Sequence, residues 1–218
     1  MQQNNIFDNY KNIKAELPEN ILLVSVSKTR TIEEVGQAVS AGCRDFGENK
    51  AQELCKKYEI YPELNWHFIG HLQKNKIRSL VGKACLIHSV DSMELALEID
   101  KRAKNLGLVQ DILIQVNAAG EVQKSGVSVE DARKLYSDIC SGCPNVRVVG
   151  LMQIAPEADD PENVRVYFRM VAELFKELKL SVLSMGMSGD YKVAVEEGAN
   201  CVRIGSAIFG ERVYSNFK

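Results

Sequence analysis

The sequence predicts an α/β protein built as a (β/α)8 TIM barrel, and three observations lead there. Eight short runs rich in valine, isoleucine and leucine recur between residues 21 and 205. Their two faces are both apolar, as in parallel strands that are buried on each side. Amphipathic segments at helical spacing lie between them, and such alternation implies a parallel sheet covered by helices. Finally, eight such units fit a chain of 218 residues, since barrels of this type need about 200 residues at the lower end and about 250 typically. With no linker, low-complexity segment or break in composition, a single domain over 1–218 is expected. It comprises an extra N-terminal helix over 1–20 and a barrel over 21–212.

The elements follow in order. The opening MQQNNIFDNYKNIKAELPEN is polar and amphipathic and reads as a helix closing the barrel at its bottom or side. The first strand is Ile21–Val26. Thr31 can cap the next helix, which carries Ile32, Val35 and Val39 on one face and Glu33 and Glu34 in its first turn, where the helix dipole favours acids. Strands two to four are Arg44–Gly47, Trp66–Gly70 and Cys85–Val90. Ser92 can cap a helix whose apolar face runs through Leu95, Ile99, Ala103 and Leu106. Strands five and six are Asp111–Asn117 and Val146–Met152. Pro161 stands where an N1 proline belongs, ahead of Val164, Tyr167, Val171, Leu174 and Leu178. Strand seven, Ser181–Met185, leads through Ser188 into a helix with Val193 and Ala194 that ends at Gly198. Strand eight is Cys201–Gly205. The competing architecture is an open doubly wound sheet. Against it, the first strand-to-helix turn is SKTRT and carries no GxGxxG fingerprint.

Hydrophobic residues make up 45% of the chain and charged residues 26%, values that support a sizeable core. A net charge of −2 offers no broad basic field for nucleic acid and no polybasic tract for a membrane. There is no secretory apolar region and no apolar window long enough for a span, so a cytoplasmic location is expected. The six cysteines, Cys43, Cys55, Cys85, Cys140, Cys143 and Cys201, read as reduced thiols in a chain of this size. Cys140 and Cys143 form the single CxxC; without a second pair it reads as a loop with two thiols.

In a barrel, function gathers where the strands end. Lys28 ends the first strand. An amine in a partly dry mouth favours its neutral form, the form that attacks an aldehyde. On position alone, a lysine reaching out to solvent fits as well. The far end of the chain adds more. Ser188 and Gly189, in SMGMSGD, follow strand seven; strand eight runs into Arg203, Gly205 and Ser206, in RIGS. Paired loops after these two strands commonly hold a phosphate, so an anionic cofactor phosphate is the expected occupant. His67 and His88, within apolar strands, read as core residues. His71 at the mouth and Lys124 after strand five carry weaker functional readings, Lys124 as a second aldehyde-reactive amine.

Taken together, ILLVSVSKT, FGENK, WHFIGHLQKNK, GLMQIAP, SMGMSGD and VRIGSAIFGER resemble the pyridoxal-phosphate homeostasis proteins from about Ile21 to Arg212. That family is similar to the barrel domain of alanine racemase and lacks its β-rich domain. The resemblance implies pyridoxal 5'-phosphate held covalently on Lys28 as a Schiff base. It also implies a phosphate cradle at Ser188, Gly189, Gly205 and Ser206, and Arg203 facing the pyridine nitrogen. Asn49, His67 and Met152 fall on motifs that line the cofactor. The function implied is a carrier that buffers the cofactor and delivers it to apo-enzymes, as a monomer, rather than an enzyme.

Two alternatives remain open at this point. A pyridoxal-phosphate-dependent amino-acid racemase needs a second base opposite Lys28, and neither Tyr191 nor Tyr214 falls on a matching motif. A barrel binding a phosphorylated sugar is the other.

Overall fold

The computed structural model describes residues 5–121 and 123–211. Eight parallel strands close into a barrel in sequence order, each paired with the next and β8 with β1. They are β1 (Leu22–Val26), β2 (Asp45–Glu48), β3 (Asn65–Phe68), β4 (Leu86–Val90), β5 (Gln110–Val116), β6 (Val146–Gln153), β7 (Val182–Ser184) and β8 (Cys201–Ile204). All eight expected runs are strands, most of them trimmed at an end.

Alternation along each strand gives it two faces. In β1, Leu23 turns toward the helices, as does Ser25, whose Oγ lies 3.1 Å from Cys43 Sγ in the connection to β2. Val24 and Val26 therefore turn inward. Both faces are buried, which is why the sequence displays apolar runs rather than an apolar–polar alternation.

The helices are α1 (Ile6–Glu16), α2 (Ile32–Ser40), α3 (Ala51–Ile60), α4 (Ile77–Leu80), α5 (Met93–Leu106), α6 (Val129–Gly142), α7 (Arg165–Glu177), α8 (Tyr191–Glu196) and α9 (Ser206–Phe209). The first is shorter than its expected 1–20. Asn5 caps it, and Leu17 is extended ahead of Pro18, because a residue before proline avoids the helical region. Helix α1 buries Ile6, Tyr10 and Ile13 and lies against α2 and α9, where the ring closes. Thr31 and Glu34 form a reciprocal capping box on α2. Pro161 opens a 3-10 turn, Pro161–Val164, that leads into α7.

Three details depart from expectation. Leu106 is exposed at the end of α5, beside the left-handed cap Gly107. Cys140 lies in the last turn of α6 and Cys143 caps that helix, so the CxxC is a helix end rather than a loop. Helix α8 starts at Tyr191 rather than after Ser188, because residues 188–190 form a turn closed by hydrogen bonds from the Asp190 and Tyr191 amides to the Met187 carbonyl.

Gly150 shows how tightly the sheet closes: a Cβ there would stand 1.8 Å from the Val182 carbonyl oxygen. Within the barrel, Leu86, Leu113 and Met152 pack into a small apolar plug. No helix of the described residues is long and apolar enough to cross a membrane.

Candidate functional site

The carboxyl ends of the strands open into a cavity of about 450 Å3, a size that suits a small organic ligand. Lys28 lines it together with Asn49, Ser188, Gly189, Arg203, Gly205 and Ser206. Seven of the nine residues expected around a cofactor thus share one cavity.

The alternation of β1 brings Lys28 to the mouth, since it continues the inward series Val24, Val26. Its neighbour Ser27 turns the other way. There the Ser27 hydroxyl donates to Glu48 Oε1 at 2.6 Å, and Lys57 Nζ donates to the Ser27 carbonyl at 2.7 Å. Lys57 also pairs with Glu48 at 2.6 Å, almost wholly out of solvent. Burial raises the pKa of Glu48, with the Lys57 charge and the hydrogen bonds opposing the rise. On the other side of Lys28, Thr29 adopts a left-handed backbone with φ 66°, unfavourable for a β-branched residue. Its amide donates to Glu53 Oε2 at 2.8 Å. The residues either side of Lys28 are therefore tied to α3.

Asn49 is set by backbone packing. A Cβ on Gly70 would come within 2.1 Å of the Asn49 carbonyl oxygen, so only glycine allows this approach. Asn49 Oδ1 is shut off from solvent and has no partner among the described residues. A buried acceptor without a donor is costly, which fits a ligand that donates to it.

The loops after β7 and β8 bring backbone donors to the same cavity. The amides of Gly189, Gly205 and Ser206 have no acceptor among the described residues. Ser188 Oγ accepts from the Ala207 amide at 3.4 Å, joining the β7 and β8 loops. Asp190 accepts from the Met187 amide at 2.6 Å and so holds the turn that presents Ser188 and Gly189. Burial raises the Asp190 pKa, opposed by that hydrogen bond and by Arg203.

Arg203 forms part of the floor. It is 3% exposed and donates to Ser184 Oγ at 2.6 Å and to the Gln153 carbonyl at 2.8 Å. Burial pulls its pKa below the ordinary arginine value, but a guanidinium remains charged at neutral pH.

His67 and Met152 do not line the cavity; they lie deeper in the barrel. Residues two apart share a face, and Ile69 and Ile154, two positions further along, line the mouth instead. His67 bonds to Asp45 and His88, and Met152 belongs to the apolar plug. His71 pairs with Ser125 Oγ at 3.0 Å. Lys124 pairs with Glu121 at 2.5 Å and donates to the Ala155 carbonyl at 3.1 Å. Tyr191 donates to Glu16 at 3.0 Å, while Tyr214 and Arg212 lie outside the described residues.

The structure adds Arg30 and Glu157 to the wall. Arg30 pairs with Glu34 at 3.2 Å, donates to the Gly210 carbonyl and lies over the Phe209 ring. It therefore ties the Lys28 loop to the segment after β8. Its place two residues beyond Lys28 was an available signal. Glu157 stands in the irregular connection after β6, where no periodicity marks it.

Comparisons with known proteins agree with this geometry. The sequence pattern of the alanine racemase N-terminal domain matches residues 1–213. A pyridoxal phosphate homeostasis protein of Aquifex aeolicus is 48% identical over 200 residues, covering 88% of this chain and 87% of that one. The human protein of the same name is 39% identical over 212 residues, covering 88% and 77%. Among solved structures, PipY of Synechococcus elongatus with pyridoxal phosphate bound superposes with a TM-score of 0.86 at 34% identity, covering 94% of this chain and 100% of that one. Alanine racemase of Clostridium difficile shares the fold, with a TM-score of 0.79 at 16% identity over 97% of this chain and 58% of that one. The chain belongs to the pyridoxal phosphate homeostasis protein family, built on the alanine racemase N-terminal domain.

Proposed function

We propose that the chain holds pyridoxal 5'-phosphate as a Schiff base on Lys28 and takes part in intracellular homeostasis of that cofactor, buffering and delivering it rather than turning over a substrate. One observation carries this reading: a lysine amine and a row of amides without acceptors face a single cavity. PipY, a relative of nearly equal extent, has pyridoxal phosphate bound.

Bound pyridoxal phosphate supplies an aldehyde that combines with amines and a ring that withdraws electrons. The chain's own residues do the rest. Lys28 provides the amine, and Ser188, Gly189, Gly205 and Ser206 hold the phosphate. Asn49 offers its unpartnered oxygen to a donor. Arg203 faces the ring nitrogen and, having only donors, keeps that nitrogen unprotonated. This weakens the ring as an electron sink and favours holding over chemistry. His67 and Met152 support the site from below.

Racemisation would need acid–base groups on two faces of the substrate. The titratable side chains of the wall are Lys28, Arg30, Glu157 and Arg203, and Arg30 is already committed to Glu34 and Gly210. In this reading the protein acts as a cytosolic monomer, and its partners are apo-enzymes that receive the cofactor.

The test is direct. Protein incubated with pyridoxal phosphate should turn yellow, and borohydride should fix the label on the peptide containing Lys28. Lys28→Ala should lose the reducible label. An unchanged visible band in that variant, or a label on another lysine, would overturn the assignment. A panel of L-amino acids should show no racemisation at ordinary enzymatic rates; such turnover would overturn the carrier reading.

A further inference from the structure

Beneath the cavity, a file of buried polar side chains crosses the barrel interior. Arg203 on β8 donates to Ser184 Oγ on β7 at 2.6 Å. Ser184 Oγ lies 3.1 Å from His88 Nδ1 on β4. His88 Nε2 lies 3.0 Å from His67 Nδ1 on β3, and His67 Nε2 lies 3.3 Å from Asp45 Oδ1 on β2. Asp45 in turn lines a crevice at the opposite end of the barrel, below α1 and beside Tyr10 and Lys14.

Donor arithmetic assigns every hydrogen in this file. A guanidinium can only donate, so Ser184 Oγ accepts from Arg203 and has one hydrogen of its own to place. The nearest acceptor among these groups is His88 Nδ1. A neutral imidazole has one donor and one acceptor, so His88 bears its hydrogen on Nε2 and gives it to His67 Nδ1. His67 then carries its hydrogen on Nε2, where the Asp45 carboxylate accepts it. Every donor points from the mouth toward the base. The opposite direction would set a bare imidazole nitrogen against a carboxylate, or require a cation on His67. Burial lowers the His88 pKa well below the ordinary histidine value, in keeping with a neutral ring.

We propose that Ser184, His88, His67 and Asp45 form a one-directional hydrogen-bond chain that holds the Arg203 guanidinium from behind and so fixes the charge offered to the ring of the bound cofactor. The role for the ring rests on Arg203 facing it, as argued above; the hydrogen assignments do not. All four are positioning residues, acting through Arg203.

Full-length protein labelled with 15N-histidine, without added cofactor, tests the chain itself. The sequence has three histidines, and His71→Gln identifies the exposed one. Long-range proton–nitrogen spectra at neutral pH should show His67 and His88 as neutral rings protonated on Nε2. A doubly protonated His67, or His88 protonated on Nδ1, would overturn the proposal.

A second arm reads the coupling. Ser184→Ala should weaken pyridoxal phosphate binding by about tenfold, the scale of one charge-assisted hydrogen bond. It should also move the visible band of the bound cofactor, with Ser184→Thr restoring both. Asp45→Asn should move the band less, and not at all when combined with Ser184→Ala. An Asp45→Asn effect undiminished in the double variant would sink the coupling. Failure of the Lys28 labelling would remove the functional reading and leave the histidine spectra intact.

Discussion

Strand β2 carries one acid on each face, and the two are partnered in opposite ways. Glu48 points toward the helices and closes a compact triangle with Lys57 and Ser27. Asp45 ends the open file that crosses the barrel interior to Arg203. A closed pair keeps its charges balanced locally, so removing one member strands the other in low dielectric. An open file spreads the same burden over several groups and has one end at solvent, where Asp45 has a side-chain exposure of 21%. The triangle beside Ser27 steadies the strand that delivers Lys28, while the file sets the direction of hydrogen bonding behind Arg203.

Four substitutions grade this contrast, beginning with the largest effect. Lys57→Met leaves Glu48 buried and unpaired and should cost about 3–5 kcal/mol in denaturant unfolding. Because burial already raises the Glu48 pKa, its protonated form suits the fold better than its charged form. The stability contributed by that shift is present below the ordinary carboxylate pKa and is lost as pH rises through the raised value. The Lys57→Met penalty should therefore be smaller at pH 5 than at pH 7. Adding Glu48→Gln should recover much of it. Equal penalties in the single and double variants would show that the triangle is not a closed unit.

His88→Leu interrupts the interior file and leaves Ser184 and His67 each short of a partner. A loss of about 1–3 kcal/mol is expected, less than for Lys57→Met because His67 and Asp45 still bond to each other. A larger loss than that of Lys57→Met would reverse the comparison.

Thr29→Gly removes the penalty for a left-handed threonine and should leave stability unchanged or raised by up to about 1 kcal/mol. Loading of Lys28 with pyridoxal phosphate should nonetheless fall, since the loop gains freedom. Unaltered loading would separate the tie to Glu53 from the site.

Glu197→Gln provides a partly buried counterpart outside the barrel. Hydrogen bonds from Arg169 and Arg165 hold the Glu197 carboxyl down at about 2. A depressed carboxylate adds stability above its ordinary pKa and loses it as pH falls from about 4.5 toward about 2. The variant should be less stable than wild type at pH 7, by no more than about 1 kcal/mol, and equal to it near pH 2. A difference that persists unchanged into acid would point to a packing effect.

Much of this architecture was legible before any coordinates. Eight apolar runs named eight strands, and Thr31, Ser92 and Pro161 marked true helix or turn starts, because caps and proline act locally. Lys28 and the two glycine-bearing loops were found at strand ends, where a barrel must open, and Asn49 through the family motif that carries it. Helices α3, α4, α6 and α9 were passed over; α4 spans only Ile77–Leu80 and α9 only Ser206–Phe209, too short to display a period. Arg30 and Glu157 escaped because their place in the wall depends on how loops fold back.

The chain of amino acids alone settled the number of strands, their parallel order and the chemistry available at their ends, since these follow from local pattern and residue type. Which face each strand turns inward was settled only by closure of the barrel. With both faces buried, hydrophobicity cannot distinguish inside from outside, and a shift of one residue exchanges them. Register put Ile69 and Ile154 at the mouth and His67 and Met152 beneath it. The same register joined five side chains from five strands into one file, a neighbourhood that no stretch of sequence contains.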